Sequence, residues 1–372
     1  MKYVIDQFSR YFIGILFIFS GLIKLNDPIG TEIKLEEYFE VFAVDFHPMF
    51  LVFKPVALEL GMIMIVLEIV LGVAVLVFYR MQLTATLLLI LIVFFTFLTG
   101  YSHFTNAVTD CGCFGDAIKL TPLQSFIKDL VLLVFIMHLF WYRKSYTPAL
   151  YTRTGHILIA AVTVASLFVG IYAIRHLPYL DFRAYKIGNH IPDEMKPREQ
   201  AIFEYVFIRK DNGKEERSGS WLTDTTLYQY KDMIQVNKGK TQPKITDYAV
   251  FTPDGDPVTS ETFSGAKLLL IMYNANKAST KNIADIVKLT KDLEGKVELM
   301  ALTSSGATEF ENFRHEHQLA VPYYFADATV LKTIIRSNPG LTLWIDGTVA
   351  GKWHHNDTPA ADEILAIIAS HK

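Results

Sequence analysis

Thiols are scarce in this chain, with two cysteines among 372 residues. Two are too few for a disulfide framework, they do not form Cys-x-x-Cys, and no second pair completes a four-ligand zinc site. Charge is scarce as well: Asp, Glu, Lys and Arg together make 20% of residues, and the net charge of −3 comes without a basic cluster. Nucleic-acid binding is excluded on that ground. The chain also lacks an internal repeat and a pair of broken apolar segments, the sequence marks of many small-solute transporters.

Apolar residues fill the space, at 51% of the chain, and they are unevenly spread. Up to about Arg175 the sequence is mostly Leu, Ile, Val and Phe; beyond it charge and turn residues return. Phe8–Leu25, Val56–Tyr79, Leu83–Tyr101, Gln124–Tyr142 and His156–Ile174 each run for about 20 residues, the length of a spanning helix. Lys24 and the lack of a small-x-small cleavage site make the first of them a retained helix rather than a signal peptide. Residues 26–55 read as a carboxylate-rich loop with a short amphipathic helix around Ile33–Phe42. An odd number of crossings puts the termini on opposite sides. With the N-terminus inside, the short inner segments hold Lys2, Arg10, Arg80, Arg143, Lys144 and Arg153, and the longer outer ones hold Lys24, Lys34, Lys54, Lys119 and Lys128. That orientation places both cysteines, and everything after Arg175, outside the cytoplasm, where disulfides persist.

Both cysteines lie in Thr109–Asp116, between the third and fourth spans. A Cys-x-Cys bridge can just reach the usual Cα separation of about 4.4–6.8 Å, so it forms under strain. Gly112 takes the required backbone angles at little cost, and Gly115 lets the loop fold back on the membrane. Strain makes such a bond oxidising and labile rather than structural. Cys111 and Cys113 are therefore the candidate exchanging pair. Two other readings stay open: inert thiols or a fixed loop clip, and capture of a soft metal by the two thiolates with His103. No metal is assigned.

Other ionisable groups could support the pair. Glu68, near the middle of the second span, is either a proton carrier and polar wall for a quinone or a protonated helix–helix hydrogen-bond former. Glu59 and Lys24 share the outer level and could pair. Lys128 and Asp129 open the fourth span on the cysteine side, where a cation would favour the thiolate; a solvated helix end is the alternative. His138 and Trp141 read as interfacial anchors. His354-His355-x-Asp357 reads as plain surface.

Beyond the spans, Phe203–Arg209, the turn Asp211-Asn-Gly213 and Glu215–Ser218 predict a β-hairpin. From Ile245 the predicted elements are strands at Asp247–Thr252, Lys267–Tyr273, Val297–Thr303, Tyr323–Phe325, Leu341–Asp346 and Val349–Trp353. Helices are predicted at Thr280–Leu293, Thr308–Gln318, Ala328–Arg336 and Pro359–Ser370. Their alternation gives an α/β layer fold.

Two resemblances add to this. Residues 245–372 resemble the thioredoxin superfamily, in its peroxiredoxin-like or TlpA-like branch. The stretches that match are Asp254-Gly-Asp-Pro with Gly265-Ala-Lys-Leu-Leu-Leu-Ile, Phe325-Ala-Asp, and Ser337-Asn-Pro-Gly-Leu-Thr-Leu-Trp-Ile-Asp-Gly347. The resemblance implies that Pro339 is cis and abuts the family's active site. Where the family carries Cys-x-x-Cys, this chain has Tyr273-Asn-Ala-Asn-Lys-Ala-Ser-Thr280 and no thiol. The first 175 residues resemble the DoxX-like superfamily and its MauE branch. That match rests on Phe17-Ile-Phe-Ser-Gly-Leu-Ile-Lys-Leu-Asn-Asp-Pro28, Leu67-Glu-Ile-Val-Leu-Gly72 and Cys111-Gly-Cys-Phe-Gly115. MauE-type proteins are linked to methylamine dehydrogenase maturation through disulfide formation, and DoxX proteins to membrane oxidoreductase complexes.

The expectation is a multidomain protein: an α-helical membrane bundle of four DoxX/MauE-type helices plus a fifth linking helix, followed by a soluble α/β thioredoxin-like domain. The boundaries fall at 1–145 for the four-helix domain, 146–177 for the fifth helix, 178–243 for a connector or small β subdomain, and 244–372 for the thioredoxin-like domain. On one reading it is a thiol–disulfide oxidoreductase or electron relay of the bacterial inner membrane, N-terminus cytoplasmic and tail periplasmic. Its partners are then an extracytoplasmic thiol protein, a membrane quinone as acceptor, lipid, and a homo-oligomer or oxidoreductase complex. A groove at Pro339 and Asn338 would receive the client. On the other reading it is a non-catalytic assembly or scaffold factor whose tail binds a partner.

Overall fold

The computed structural model describes residues 2–108, 114–237 and 241–371. Its chain forms two compact units that part at Arg183/Ala184, with the short Trp353–Asp357 segment grouped with the first.

The first unit is built from α1 (Lys2–Asn26), α2 (Pro28–Asp45), a 3₁₀ segment (Pro48–Val56), α3 (Ala57–Leu76), α4 (Met81–Thr105), α5 (Pro122–Trp141) and α6 (Thr152–Arg175). Five of its helical segments are long and apolar enough to cross a membrane. This is a multi-pass membrane protein. The carboxylate-rich stretch after α1 is not a loop with a short helix, as its composition suggested, but the 18-residue α2. Asp27 starts it: its side chain accepts from the Gly30 backbone N–H at 3.0 Å, and Pro28 takes the first-turn position where a missing N–H costs nothing. Leu35, Tyr38 and Phe42 then make a buried stripe, while the acids lie on the other faces. Helix α5 begins with a reciprocal cap, the Thr121 hydroxyl accepting from Gln124 N–H and the Gln124 side chain from Thr121 N–H.

The core of the bundle is a dry layer between α1, α3, α4 and α5, made of Ile13, Phe17, Leu71, Val75, Leu88, Ile92, Leu132 and Ile136. Lipid gives helices no hydrophobic reason to associate, so close backbone approach must supply the packing. Helices α1 and α3 achieve it through glycine. A Cβ added to Gly72 would lie 2.9 Å from the Gly14 carbonyl oxygen and 3.0 Å from Ile18 N, backbone atoms that cannot move aside singly. Gly72→Ala is therefore expected to cost about 1–3 kcal/mol by wedging the pair apart. Thermal unfolding of the detergent-solubilised full chain measures this, and an unchanged midpoint would refute the packing account.

The second unit holds two sheets. A three-stranded antiparallel sheet has the order β2-β1-β3, from β1 (Phe203–Arg209), β2 (Glu215–Ser218) and β3 (Tyr228–Gln235). Gly213 at φ +69° makes the tight β1–β2 turn. Strand β3 has no counterpart among the sequence-predicted elements. The larger sheet has the order β4-β7-β6-β5-β8-β9, from β4 (Val250–Phe251), β5 (Ala266–Met272), β6 (Glu298–Thr303), β7 (Tyr323–Ala326), β8 (Gly340–Ile345) and β9 (Thr348–His354). Strands β5, β6 and β7 run parallel, β8 antiparallel to β5. Helices at Ile283–Asp292, Ala307–His317, Ala328–Ile334 and Ala361–Ser370 accompany it. A parallel centre, an antiparallel hairpin edge and a cis Asn338–Pro339 bond leading into β8 make this a thioredoxin-like fold. Residues 188–191 run along β9, Gly188 and Ile191 donating to the Val349 and Gly347 carbonyls, so the outer edge of the sheet is covered.

Candidate functional site

Residues 109–113, with Cys111, Gly112 and Cys113, lie outside the described residues. Before them, Val108 is fully buried among Tyr38, Phe42 and Leu98. After them, Phe114 is 8% exposed, its ring 5.7 Å from that of Phe19 on α1. Gly115 follows at φ +50°, a left-handed conformation that glycine adopts without penalty.

Directly over Phe114 sits a cation, the Lys128 ammonium, 5.2 Å from the ring centroid. It also lies 2.9 Å from Asp129 Oδ1. Asp129 is not at a solvated helix end: it is completely buried, and its Oδ2 is 3.0 Å from Thr99 Oγ1 on α4. Charges at this depth are tolerated when paired and hydrogen-bonded. Lys128 supplies the pairing at Oδ1 and Thr99 the hydrogen bond at Oδ2, while Oδ1 takes no hydrogen bond among the described residues.

A second set of the same composition joins α1 and α3. Glu68, 2% exposed, accepts from Lys24 Nζ at 2.5 Å and from Ser20 Oγ at 3.0 Å. Glu68 is therefore partnered by both groups, and Lys24 pairs with it instead of with Glu59. The reason is directional. Side chains on a helix lean toward its N-terminus, so Lys24 reaches down α1 to the level of Ser20, one turn back. Its ammonium also lies 4.7 Å from the Phe95 ring of α4. Glu59 is in the first turn of α3. His103 packs nearly parallel to Phe126, with centroids 6.4 Å apart and ring planes at 23°, and serves here as part of an aromatic wall.

At the other end of α1 the structure adds a group that sequence reasoning passed over. His138 Nε2 and the Tyr146 hydroxyl both lie 2.8 Å from Asp6 Oδ1. His138 is thus a buried-cluster partner, not only an interfacial anchor, whereas Trp141 is 77% exposed. An acid four residues before Arg10 in an apolar run was the available signal. Thr99 and Ser20 gave none.

In the thioredoxin-like domain the place of the usual thiols is taken by a short 3₁₀ turn, Ala275–Lys277, capped by the Asn274 side chain. Pro339 is buried and Asn338 is 8% exposed. Asn338 gives its side-chain amide to the Asn274 carbonyl at 2.7 Å, and its own carbonyl accepts from Ser279 N–H at 2.8 Å. Asn338 thus ties the cis-proline turn, the expected client position, to the 274–279 segment. The surface reading of His354 is also corrected: its ring is buried, and Nδ1 accepts from Asn356 N–H at 3.1 Å. Burial, with neighbouring His355, pushes its pKa down to about 3.

Residues 2–142 match the family described as methylamine utilisation protein MauE. Protein TlpB of Flavobacterium psychrophilum is 28% identical over 135 residues, covering 36% of this chain and 35% of the relative. The chain thus spans about a third of that relative's length. A solved structure of a secreted disulfide oxidoreductase from Mycobacterium tuberculosis aligns at 15% identity and a TM-score of 0.25, over 33% of this chain and 96% of that one. The chain thus joins a membrane domain that matches the MauE family over residues 2–142 to a thioredoxin-like domain.

Proposed function

We propose that the protein is a thiol–disulfide oxidoreductase of the bacterial inner membrane, with its N-terminus in the cytoplasm and its tail in the periplasm. Cys111 and Cys113 exchange with an extracytoplasmic dithiol protein, and a membrane quinone takes the electrons. Per turn, two client S–H bonds break and one S–S bond forms, while the quinone gains two electrons and two protons. Glu68, paired with Lys24 and hydrogen-bonded by Ser20, takes up each proton in transit and passes it on within the bundle.

The observation that carries this reading is a cation next to the residue that follows the thiols in sequence: the Lys128 ammonium lies over the ring of Phe114, which comes directly after Cys113. A cation beside a thiol favours the thiolate, the species that attacks a disulfide. A non-catalytic assembly factor is the second reading, favoured by a thioredoxin-like tail that carries no cysteine.

Labelling of intact spheroplasts with a membrane-impermeant maleimide tests the first reading. Both cysteines are expected to resist the reagent until a reductant is added, then to react from outside. Reaction without reductant, or protection from outside even after reduction, would overturn it.

A further inference from the structure

One buried carboxylate has no part in the scheme above. Asp129 is completely enclosed, yet it is held by the same kinds of group as Glu68: one ammonium and one hydroxyl. We propose that Asp129 is the second proton-holding residue of the membrane redox site, working beside Glu68; this rests on the oxidoreductase reading.

The Thr99 hydroxyl is the telling atom. It has one proton and three acceptors within reach: Asp129 Oδ2 at 3.0 Å, the Phe95 carbonyl at 2.9 Å and the Thr96 carbonyl at 3.3 Å. With Asp129 ionised, Thr99 donates to Oδ2 and Lys128 pairs with the other oxygen, 2.9 Å away. With Asp129 protonated on Oδ2, the carboxyl O–H donates to Thr99 Oγ1, and Thr99 turns its own proton to Phe95. Oδ1 takes no hydrogen bond among the described residues, but at Oδ2 neither state strands a buried donor or acceptor, so protonation there avoids the usual penalty of about 1–3 kcal/mol. A carboxylate kept only to pin two helices would need partners for one state.

The two sets meet at Phe95. Its ring carries the Lys24 ammonium at 4.7 Å, and its carbonyl takes the Thr99 hydroxyl. The charged and titratable groups around Asp129 are Lys128 on its own helix, His103 one turn beyond Thr99 on α4, and Lys24 from α1 across Phe95. A thiol couple that reduces a quinone moves two electrons with two protons, and two carboxylates of matched setting accept one proton each before passing it to a quinone oxygen.

The test uses the full chain in lipid nanodiscs, with dithiothreitol as dithiol and decylubiquinone as acceptor, and follows quinol formation over a pH series. Asp129→Asn is expected to lower kcat about 100-fold with KM for the dithiol unchanged, and to remove one limb of the pH profile. Thr99→Val keeps the carboxylate and is expected to shift that limb rather than remove it. A folded Asp129→Asn protein with the parent kcat and profile overturns the inference. If Asp129→Asn does not fold, an unshifted profile in Thr99→Val overturns it equally. A parent protein that makes no quinol overturns the oxidoreductase reading instead.

Discussion

Cys113→Ser is expected to lower dithiol-driven quinone reduction by at least about 1,000-fold, because exchange needs both sulfurs and removing one member of a pair acting as a unit removes nearly all its effect. What survives is the reverse exchange with an oxidised client: the Cys111 thiolate attacks the client's S–S bond, which breaks to release one client thiolate and leaves a mixed disulfide that no second sulfur of this chain resolves. Non-reducing electrophoresis of the variant should show this adduct as a slower band that a reductant removes. The assembly-factor reading expects the opposite pattern: slight destabilisation, function retained in cells and no adduct. A Cys113→Ser protein that turns over at the parent rate ends the redox proposal outright, whatever the fate of the supporting charges.

Lys24→Met should have the largest effect on stability. Lys24 and Glu68 are 10% and 2% exposed at their side chains, so the pair has been taken almost wholly out of water and lipid headgroups. Removing one partner leaves the other as an uncompensated charge, a loss of about 3–5 kcal/mol. Replacing both, as Lys24→Met with Glu68→Leu, removes the charges together and should restore much of it, because a buried pair is worth little against well-packed apolar residues. Unfolding midpoints of the four proteins in one detergent complete the double-mutant cycle. The outcome that contradicts the ion pair is a Lys24→Met protein as stable as the parent, or a double variant that loses the sum of the two singles.

Periodicity and length carried most of the fold. The five spanning segments follow from unbroken apolar runs, and the β1–β2 hairpin from Asn212-Gly213 between two strand-like stretches. Strand β3 was not legible, because Tyr-Gln-Tyr-Lys-Asp-Met-Ile-Gln (228–235) is a sheet-edge strand with little buried surface and no clean alternation. Helix α2 was readable only in part. Its Asp27-Pro28 start is a strong cap signal, but the acids between Leu35 and Phe42 obscure the apolar stripe.

The site was legible as residue types and not as partners. Glu68 and Asp129 stand out as acids in apolar sequence, which marks them as costly and therefore held by something. Which group holds each depends on the lean of Lys24 along α1 and on the helix pairing that brings Thr99 to Asp129. Neither is written in local pattern.

The oily layer around Ile13 and Phe17 has an electrical consequence. It separates Ser20 from Asp6 along α1 by about 21 Å, and none of its buried members is ionisable. In the proposed cycle, hydrogen ions handled by Glu68 and Asp129 thus reach the acceptor from the same side as the thiols that released them. Such a turnover neither charges the membrane nor draws on its voltage, and its direction is set by the supply of thiol and acceptor alone.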